Sequence, residues 1–244
     1  MAVLLLPYLC YRSFLLPLQF PKEYSESLFL AMTAVYLCMF LVLVLVVKQL
    51  PEKCLVILGF VLIACATASQ LYIADQMQLL PDVDLYCVID QDKEIVEKGL
   101  HYFTNEEYFA VNTNNIPLTI VIYWVFRFTK ALGFHNYELA GGIFNVGMNL
   151  ITYAAGYGIA RRVTSERPAF LFLAALLTNP VPYAYASYYY TDTISMGLTT
   201  LAVYLFVCAI QSAEKSGKRS FVLFVLSGVI FFGRSRSALP AVSF

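Results

Sequence analysis

Long apolar runs separated by short polar segments dominate the hydropathy pattern of the chain. A membrane-spanning helix needs roughly 20 apolar residues, and five runs reach that length, at about residues 28–47, 54–74, 139–160, 168–189 and 193–212. A sixth run, at about residues 221–232, continues toward the C-terminus. The pattern therefore predicts an all-α, polytopic membrane protein built as a helical bundle.

Composition supports this class and excludes several others. Of the 244 residues, 60% are hydrophobic and 13% are charged, with a mean hydropathy of +0.70, whereas soluble globular domains contain about 25% charged residues. These values exclude an ordinary soluble fold, a disordered chain, a disulfide scaffold and a nucleic-acid binder. The 16 Lys and Arg residues balance the 16 Asp and Glu residues, so the net charge favours no class of partner.

The two ends of the chain are less regular than its middle. Residues 2–20 are apolar, but two prolines and Arg12 interrupt them, so we interpret them as an extra or partial membrane helix and not as a signal peptide. Residues 233–244 carry two arginines where the last helix should still lie in lipid, which indicates a truncated or frame-shifted end. We therefore predict N-terminal membrane segments over residues 1–53 and an incomplete membrane domain over residues 54–244.

Basic residues in the short loops predict the orientation of the helices, because cytoplasmic loops are rich in Lys and Arg. Three short loops are basic, and they contain Lys48 with Lys53, Arg161 with Arg162 and Arg167, and Lys215 with Lys218 and Arg219. All three loops lie in the cytoplasm together only if residues 75–115 lie outside. That segment holds nine of the 16 acidic residues and only two lysines.

Residues 116–132 decide how this topology continues. They are apolar for eleven residues and then carry two basic residues. A membrane crossing here would move the paired arginines of the next loop to the outer side. We therefore predict a helix lying in the outer membrane interface, with Trp124 at the level of the headgroups. Residues 75–136 then form one lobe outside the membrane, which we call the lobe.

The most acidic part of the lobe runs over residues 90–97. Apolar positions at helical spacing predict a short amphipathic helix here that ends near Gly99. One interpretation makes a carboxylate of this helix, Asp90 above all, a general base toward an acceptor hydroxyl. The alternative is a solvated helix face, in which Lys93 and Lys98 form ion pairs with glutamates of the same helix.

Two further polar stretches are candidates for substrate contact. The amides of residues 112–115 precede Pro117, which suits a turn into the interfacial helix, and amides beside tyrosines also suit sugar hydroxyls or a phosphate. Tyr190 and Asp192 lie at the outer mouth of two helices, where Asp192 either takes part in catalysis or caps the following helix. Neither histidine has a partner at the spacing of a metal site, so no metal ion or other cofactor is expected.

In their order along the chain, these features resemble the front half of a glycosyltransferase of the GT-C fold. The resemblance is closest to glycosyltransferase family 39, which contains the protein O-mannosyltransferases and the aminoarabinose transferases of lipid A. That family has a key aspartate at the start of a juxtamembrane helix, then a Tyr-Phe pair, a proline-containing turn, a second juxtamembrane helix, and a membrane helix ending in paired arginines. The matching positions, within about residues 54–232, are Asp90-Gln91, Gly99, Tyr102-Phe103, residues 114–117, Trp124 and Arg161-Arg162.

The resemblance implies both a function and a set of site residues. The enzyme would move a sugar, most commonly mannose in this family, from a polyprenyl-phosphate carrier to a protein, glycan or lipid at the outer face of a bacterial plasma membrane. Asp90 would be the catalytic base, and the substrate-binding residues would be Gln91, Tyr102, Asn114, Asn115, Arg127, Lys130, Tyr190 and Asp192. Arg127 or Lys130 would offset the charge of the departing phosphate.

The chain also departs from the family pattern and leaves a rival open. The His-Pro-Pro turn of many members is Asn115-Ile116-Pro117 here, and the arginine that many members carry early in the next helix is absent from residues 137–145. Family members are longer, which leaves open whether the chain is an active enzyme or an inactive fragment. The rival is a polytopic transporter or a non-catalytic scaffold, although a transporter should place ionisable residues near the bilayer midplane.

Overall fold

The computed structural model describes residues 26–77, 83–100, 102–213 and 216–237. The predicted partial helix at residues 2–20 lies outside the described residues, and so do the last residues of the predicted abrupt end. Throughout the described ranges the chain forms helices and turns and no strand. The predicted all-α class is therefore confirmed.

The helices follow one another with short connections. In chain order they are α1 (Glu26–Gln49), α2 (Glu52–Gln76), α3 (Val83–Lys98), α4 (Glu106–Val111), α5 (Ile116–Ala131), α6 (Tyr137–Val163), α7 (Glu166–Leu177), α8 (Val181–Ala184), α9 (Thr191–Ser212) and α10 (Gly217–Ser237). A 3₁₀ turn, Thr113–Asn115, leads directly into α5. The chain divides into two compact units, residues 1–55 and residues 56–244, while the domain organisation predicted above stays a prediction.

In the second unit, α2 packs antiparallel against α6. The ring of Phe60 meets the edge of Tyr157 near the beginning of α2, and Ala74 packs against Val146 near its end. Because the residue numbers rise in one helix as they fall in the other, the end of α2 lies beside the beginning of α6. The lobe, which connects these two ends along the chain, therefore lies at that end of the helices.

A close approach between helices fixes the position of α9. A side chain at Gly197 would lie only 2.8 Å from the backbone oxygen of Met148, so only glycine allows α9 to pass α6 at this distance. At the other end of the same pair, Arg162 donates a hydrogen bond to the side chain of Gln211 at 2.9 Å. These contacts show that α9 runs parallel to α6, while α10 returns antiparallel along α9.

Neutral polar side chains connect α2 with α6 inside the bundle. The amide of Gln70, fully buried, donates to the hydroxyl of Tyr153 at 2.6 Å and accepts from the amide of Asn149 at 2.9 Å. Such bonds between apolar helices contribute about 0.6 kcal/mol on average. They also fix the rotation of the two helices, because any other rotation would leave these amides without partners in an apolar interior.

The run at residues 168–189 is not one continuous helix, so the prediction of a single spanning helix over these residues was wrong. Helix α7 ends at Leu177, and the chain then turns through Asn179 and Pro180 into the single turn of α8. Proline disfavours a helical conformation in the residue before it, and the side chain of Asn179 accepts a hydrogen bond from the amide of Val181 at 3.1 Å. Hydropathy alone could not reveal this break, because the residues around it remain apolar.

Two described helices, α2 and α9, are long and apolar enough to cross a membrane, as judged by length and composition. Within α1, residues 33–49 form a shorter apolar stretch. The other predicted runs, at residues 139–160 and 221–232, lie within α6 and α10. That these helices also cross the membrane stays a prediction.

The two ends of the bundle differ in charge. One end, which we call the basic end, carries five basic residues near the end of α6 and the beginnings of α7 and α10, namely Arg161, Arg162, Arg167, Lys218 and Arg219. There the guanidinium of Arg161 pairs with Glu166 at 2.8 Å. The opposite end carries the lobe. The predicted separation of basic loops from the acidic lobe is therefore present in the fold, whichever side of a membrane each end faces.

We expect the substitution Tyr153→Phe to destabilise the second unit, because it removes the hydroxyl that accepts the bond from Gln70 and leaves a buried amide donor unpaired. The expected loss of unfolding free energy is about 1 kcal/mol, seen as a lower melting temperature of the detergent-solubilised protein. Tyr72→Phe is the matched control, since Tyr72 lies on the same helix as Gln70 and its side chain is exposed. Equal melting temperatures for the two variants would contradict a structural role for the Gln70 bond.

Candidate functional site

Helix α3 presents an apolar face to the bundle and an acidic face to solvent. Leu85, Val88 and Ile89 are buried in one cluster with Ile122 and Phe126 of α5. Burial of side chains of this size stabilises the lobe by about 1.5–3 kcal/mol each. The helix ends at Lys98 and is followed by a glycine with φ of +67°, so the predicted end near Gly99 is confirmed.

A chain of hydrogen bonds at the beginning of α3 joins the lobe to the bundle. The hydroxyl of Tyr108 donates to the backbone oxygen and to Oδ1 of Asp84, each at 3.2 Å. The side-chain amide of Asn115 donates to the Tyr108 oxygen at 2.6 Å. The hydroxyl of Tyr190 donates to Oδ1 of Asn115 at 3.2 Å. We call these four residues the Asn115 network.

Local structure places each member of the Asn115 network. Asn105 caps α4 by accepting from the amide of Tyr108 at 3.3 Å, which sets the position of that tyrosine. The 3₁₀ turn holds Asn115 against the first turn of α5, where it is 1% exposed. Tyr190 precedes α9 as its N-cap residue, and its backbone amide donates to the hydroxyl of Thr193 at 3.3 Å. Burial raises the pKa of the Tyr108 phenol, so this group remains a proton donor.

The three polar residues that follow one another on α3 differ sharply in their environment. Asp90 is exposed to solvent. Gln91 is buried, and its oxygen accepts from the backbone amides of Thr104 at 2.7 Å and Asn105 at 3.2 Å. Gln91 therefore holds the loop before α4. Asp92 is fully buried, and neither of its oxygens has a hydrogen-bond partner among the residues that the structure describes.

Burial gives the Asp92 carboxyl unusual acid–base properties. Removal from water disfavours its charged form and raises its pKa to about 9. The carboxyl is therefore protonated at neutral pH. A protonated carboxyl can both donate and accept a hydrogen bond.

The ion pairs on α3 follow the prediction only in part. Lys98 pairs with Glu94 at 2.6 Å, as expected for residues four positions apart. Lys93 pairs with Glu138 of α6, and not with a glutamate of its own helix. Glu97 accepts from Tyr137 of α6, and this hydrogen bond lowers the pKa of the carboxyl. These cross-helix contacts attach the far end of α3 to the beginning of α6.

The two basic residues predicted to meet a phosphate both have partners within the lobe. Arg127 donates to the hydroxyl of Tyr123 at 2.6 Å and lies over the ring of Trp124, 5.3 Å from its centroid. Lys130 donates to the backbone oxygen of Val96 at 2.8 Å, at the end of α3. Arg127 is therefore a residue of the exposed surface of α5, whereas Lys130 joins α5 to α3.

The remaining predicted site residues are dispersed. Tyr102 is 62% exposed in the loop after α3. The backbone of Asn114 lies in the 3₁₀ turn, and its side chain lies outside what the structure describes. Asp192 does not cap α9, so that alternative was wrong. Tyr190 occupies the N-cap position, and Asp192 lies exposed in the first helical turn, where a negative charge is favourable beside the helix N-terminus.

The structure therefore brings together two predicted substrate-binding residues, Asn115 and Tyr190, and connects them to Asp84 and Tyr108, which were not among the predicted site residues. Asp84 was one of many acids in the lobe, and Tyr108 was one of several aromatics. The available signals were the position of Asp84 in the first turn of an amphipathic helix and the capping Asn105 three positions before Tyr108. Neither signal could show that the two side chains meet.

Comparison with known proteins identifies the class. Residues 117–244, slightly more than half of the chain, match the family model described as dolichyl-phosphate-mannose-protein mannosyltransferase. No curated protein and no solved structure matches the chain. The helical bundle with its lobe is thus a membrane fold of the GT-C glycosyltransferase type. The chain belongs to the dolichyl-phosphate-mannose-protein mannosyltransferase family, which implies glycosyltransferase activity, a lipid-linked sugar donor and a membrane setting.

The burial of Asp92 predicts a pH dependence of stability. Its pKa of about 9 in the folded protein lies far above the value of about 4 in an unfolded chain. The folded state therefore holds the proton more tightly, and stability falls as the pH rises from about 4 to about 9. Asp92→Asn mimics the neutral carboxyl, so its melting temperature relative to the unchanged protein should rise steadily over this range.

Asp90→Asn is the matched control, because water solvates the exposed Asp90 carboxylate in both the folded and the unfolded chain. We expect this exposed substitution to change the melting temperature less than Asp92→Asn does at the upper end of the pH range. A difference for Asp92→Asn that stays constant with pH would show that the Asp92 carboxyl is not buried.

Proposed function

We propose that the protein transfers a mannosyl group from a polyprenyl-phosphate carrier to a hydroxyl of an acceptor at the outer face of the membrane. A base in the lobe takes the proton of the acceptor hydroxyl while its oxygen attacks the anomeric carbon. The bond from that carbon to the phosphate oxygen breaks, and the electron pair leaves with the lipid phosphate. The acceptor is a protein or a glycan or lipid of the cell envelope.

The Asn115 network carries this proposal. It connects a carboxylate of the lobe with residues at the beginning of α5 and α9, and both of those helices lie in the part of the chain that matches the family. A carboxylate that accepts a hydrogen bond from Tyr108 is held in one orientation, which a general base requires. Asp84 is exposed to solvent even though it belongs to the network. Its carboxylate is therefore accessible to an acceptor.

Two carboxylates of α3 compete for the role of base. Asp90, the residue selected from the sequence, is exposed and lies outside the family match, as Asp84 also does. Asp84 is the carboxylate that the Asn115 network reaches. We therefore assign the base to Asp84 and keep Asp90 as the alternative that the same experiment tests.

Helix α5 supports a position of the lobe at a membrane surface. Ile120, Trp124 and Phe128 recur every fourth residue and are 53%, 59% and 65% exposed, while Ile122 and Phe126 on the opposite face are buried. Large apolar side chains in a continuous exposed stripe favour the lipid–water interface. Arg127, which borders this stripe, is then the residue best placed to contact the lipid phosphate.

The orientation follows from the two ends of the bundle. The basic end is proposed to face the cytoplasm, because Lys and Arg collect on that side of membrane proteins. The lobe at the opposite end then faces outward, with the protein in a bacterial plasma membrane. In this arrangement α2, α6, α9 and α10 cross the bilayer. The broken α7–α8 segment crosses it as well, because it connects the basic end of α6 with the lobe end of α9.

The transfer reaction itself distinguishes the two carboxylates. In the protein expressed from its complete reading frame, Asp84→Asn should lower transfer of mannose from polyprenyl-phosphate-mannose by roughly 10²–10⁴-fold, the contribution of a positioned base. Tyr108→Phe should lower it less, by roughly tenfold, because it removes one hydrogen bond that orients the base. The measurement is the initial rate with radiolabelled mannose.

Asp90→Asn is the matched control on the same helix and should leave that rate nearly unchanged. A large loss for Asp90→Asn with little loss for Asp84→Asn would move the base to Asp90. Small losses for both would remove α3 from the reaction, and no transfer by the unchanged protein would contradict the proposed function.

Labelling with an impermeant thiol reagent tests the orientation. In a background without native cysteines, Glu106→Cys in the lobe should react from outside intact cells, whereas Ser216→Cys at the basic end should react only after the membrane is opened. The two residues lie at opposite ends of the bundle. Reaction of both from the same side would contradict the proposed topology.

A further inference from the structure

The break between α7 and α9 contains the second polar region of the fold. The amide of Asn145 on α6 donates to the backbone oxygens of Tyr185 at 2.8 Å and Ala186 at 3.2 Å. These bonds hold residues 185–188 against α6 in a non-helical conformation. Irregular backbone between apolar helices is tolerated only where the protein buries it or where it lines a polar site.

Glycines on α6 bring this segment into very close contact. A methyl group at Gly141 would lie 2.2 Å from the ring of Tyr189, so the ring rests directly on the helix backbone. The neighbouring Gly142 lies beside Ser187, whose Cα is 3.6 Å from the position that a side chain would occupy. Ser187 and Tyr189 therefore lie side by side on the same face of α6, one turn from Asn145.

Several polar atoms of this region are buried without a hydrogen-bond partner in the described part of the chain. They are Ser187 Oγ, Tyr189 OH, Thr191 Oγ1, Asn145 Oδ1 and both carboxyl oxygens of Asp92. The Tyr189 hydroxyl also lies within electrostatic range of Asp92. An unpaired buried polar group costs roughly 1–3 kcal/mol. Several of them on the neighbouring segments α3, α6 and 187–191 therefore point to a ligand that supplies the missing partners.

The chemistry of these atoms favours one class of ligand. Hydroxyls, an amide oxygen and a protonated carboxyl are neutral groups that donate and accept hydrogen bonds. They suit the hydroxyls of a sugar, which also donate and accept. A phosphate would call for cationic partners, and the lysine next in sequence, Lys93, is already paired with Glu138.

We propose that Ser187, Tyr189 and Asp92 form a subsite for the hydroxyl groups of the sugar carried by the lipid donor. This inference rests on the proposed function and adds the part of the protein that recognises the sugar. The subsite lies next to the Asn115 network in the chain, since Tyr189 directly precedes Tyr190. The sugar hydroxyls bind the subsite while the anomeric carbon faces the network.

Binding of two lipids separates sugar recognition from phosphate recognition. The probes are polyprenyl-phosphate-mannose and polyprenyl phosphate without a sugar, and the measured quantity is the ratio of their dissociation constants for the full chain in nanodiscs. The unchanged protein should prefer the mannosylated lipid. Tyr189→Phe and Ser187→Ala should each reduce this preference by roughly 2- to 10-fold, the contribution of one hydrogen bond, with unchanged affinity for polyprenyl phosphate.

Tyr183→Phe is the matched control, because the hydroxyl of Tyr183 has a protein partner, the backbone oxygen of Leu177 at 3.0 Å. This variant should lower the melting temperature and keep the preference for the mannosylated lipid. Tyr189→Phe should do the reverse and leave the melting temperature equal or higher, because its hydroxyl has no hydrogen-bond partner to lose within the described ranges.

The outcomes distinguish failure of the subsite from failure of the function. An unchanged preference in Tyr189→Phe and Ser187→Ala, in a protein that still transfers mannose, would overturn the subsite alone. Equal weakening of both lipids would assign these residues to the phosphate and also overturn the sugar subsite. A protein that binds neither lipid and transfers no sugar would overturn both proposals.

Discussion

One buried amide, that of Asn115, joins the lobe to the helical bundle. Its nitrogen donates to Tyr108 in the lobe, and its oxygen accepts from Tyr190 at the beginning of α9. In an apolar interior each of these bonds is costly to break, since the groups it leaves behind would be unpaired. The orientation of Asp84 therefore depends on Asn115, a residue more than thirty positions away in the chain. The contact between the lobe and the bundle, where we propose that the reaction takes place, depends on the same residue.

The requirement to pair polar groups also explains the rest of the bundle. Gln70, Asn149 and Asn145 each use an amide to connect α6 with a neighbouring segment. Such contacts add only modest stability, but they exclude other helix rotations and so specify one packing. Where partners are missing, at Asp92 and Tyr189, the same requirement points to function.

The sequence predicted the parts of this structure that depend on local patterns. Hydropathy located the long helices, the period of apolar residues located the end of α3 at Gly99, and the order of motifs indicated the family. The helix break at Pro180 was not predicted because apolar residues continue through it. The roles of Asp84 and Asp92 were not predicted for a different reason. Burial and hydrogen bonding depend on which helices meet. On α3 the consecutive polar residues Asp90, Gln91 and Asp92 face water, the loop and the core, respectively.

Photocrosslinking tests the placement of the reaction at the Asn115 network most directly. A polyprenyl-phosphate-mannose analogue with a diazirine on the sugar would be bound to the protein, irradiated and mapped by peptide mass spectrometry. The lobe and the segment before α9 are expected to carry the label, within residues 84–115 and 185–192. Labelling confined to the basic end, around the end of α6 and the beginning of α10, would contradict this placement.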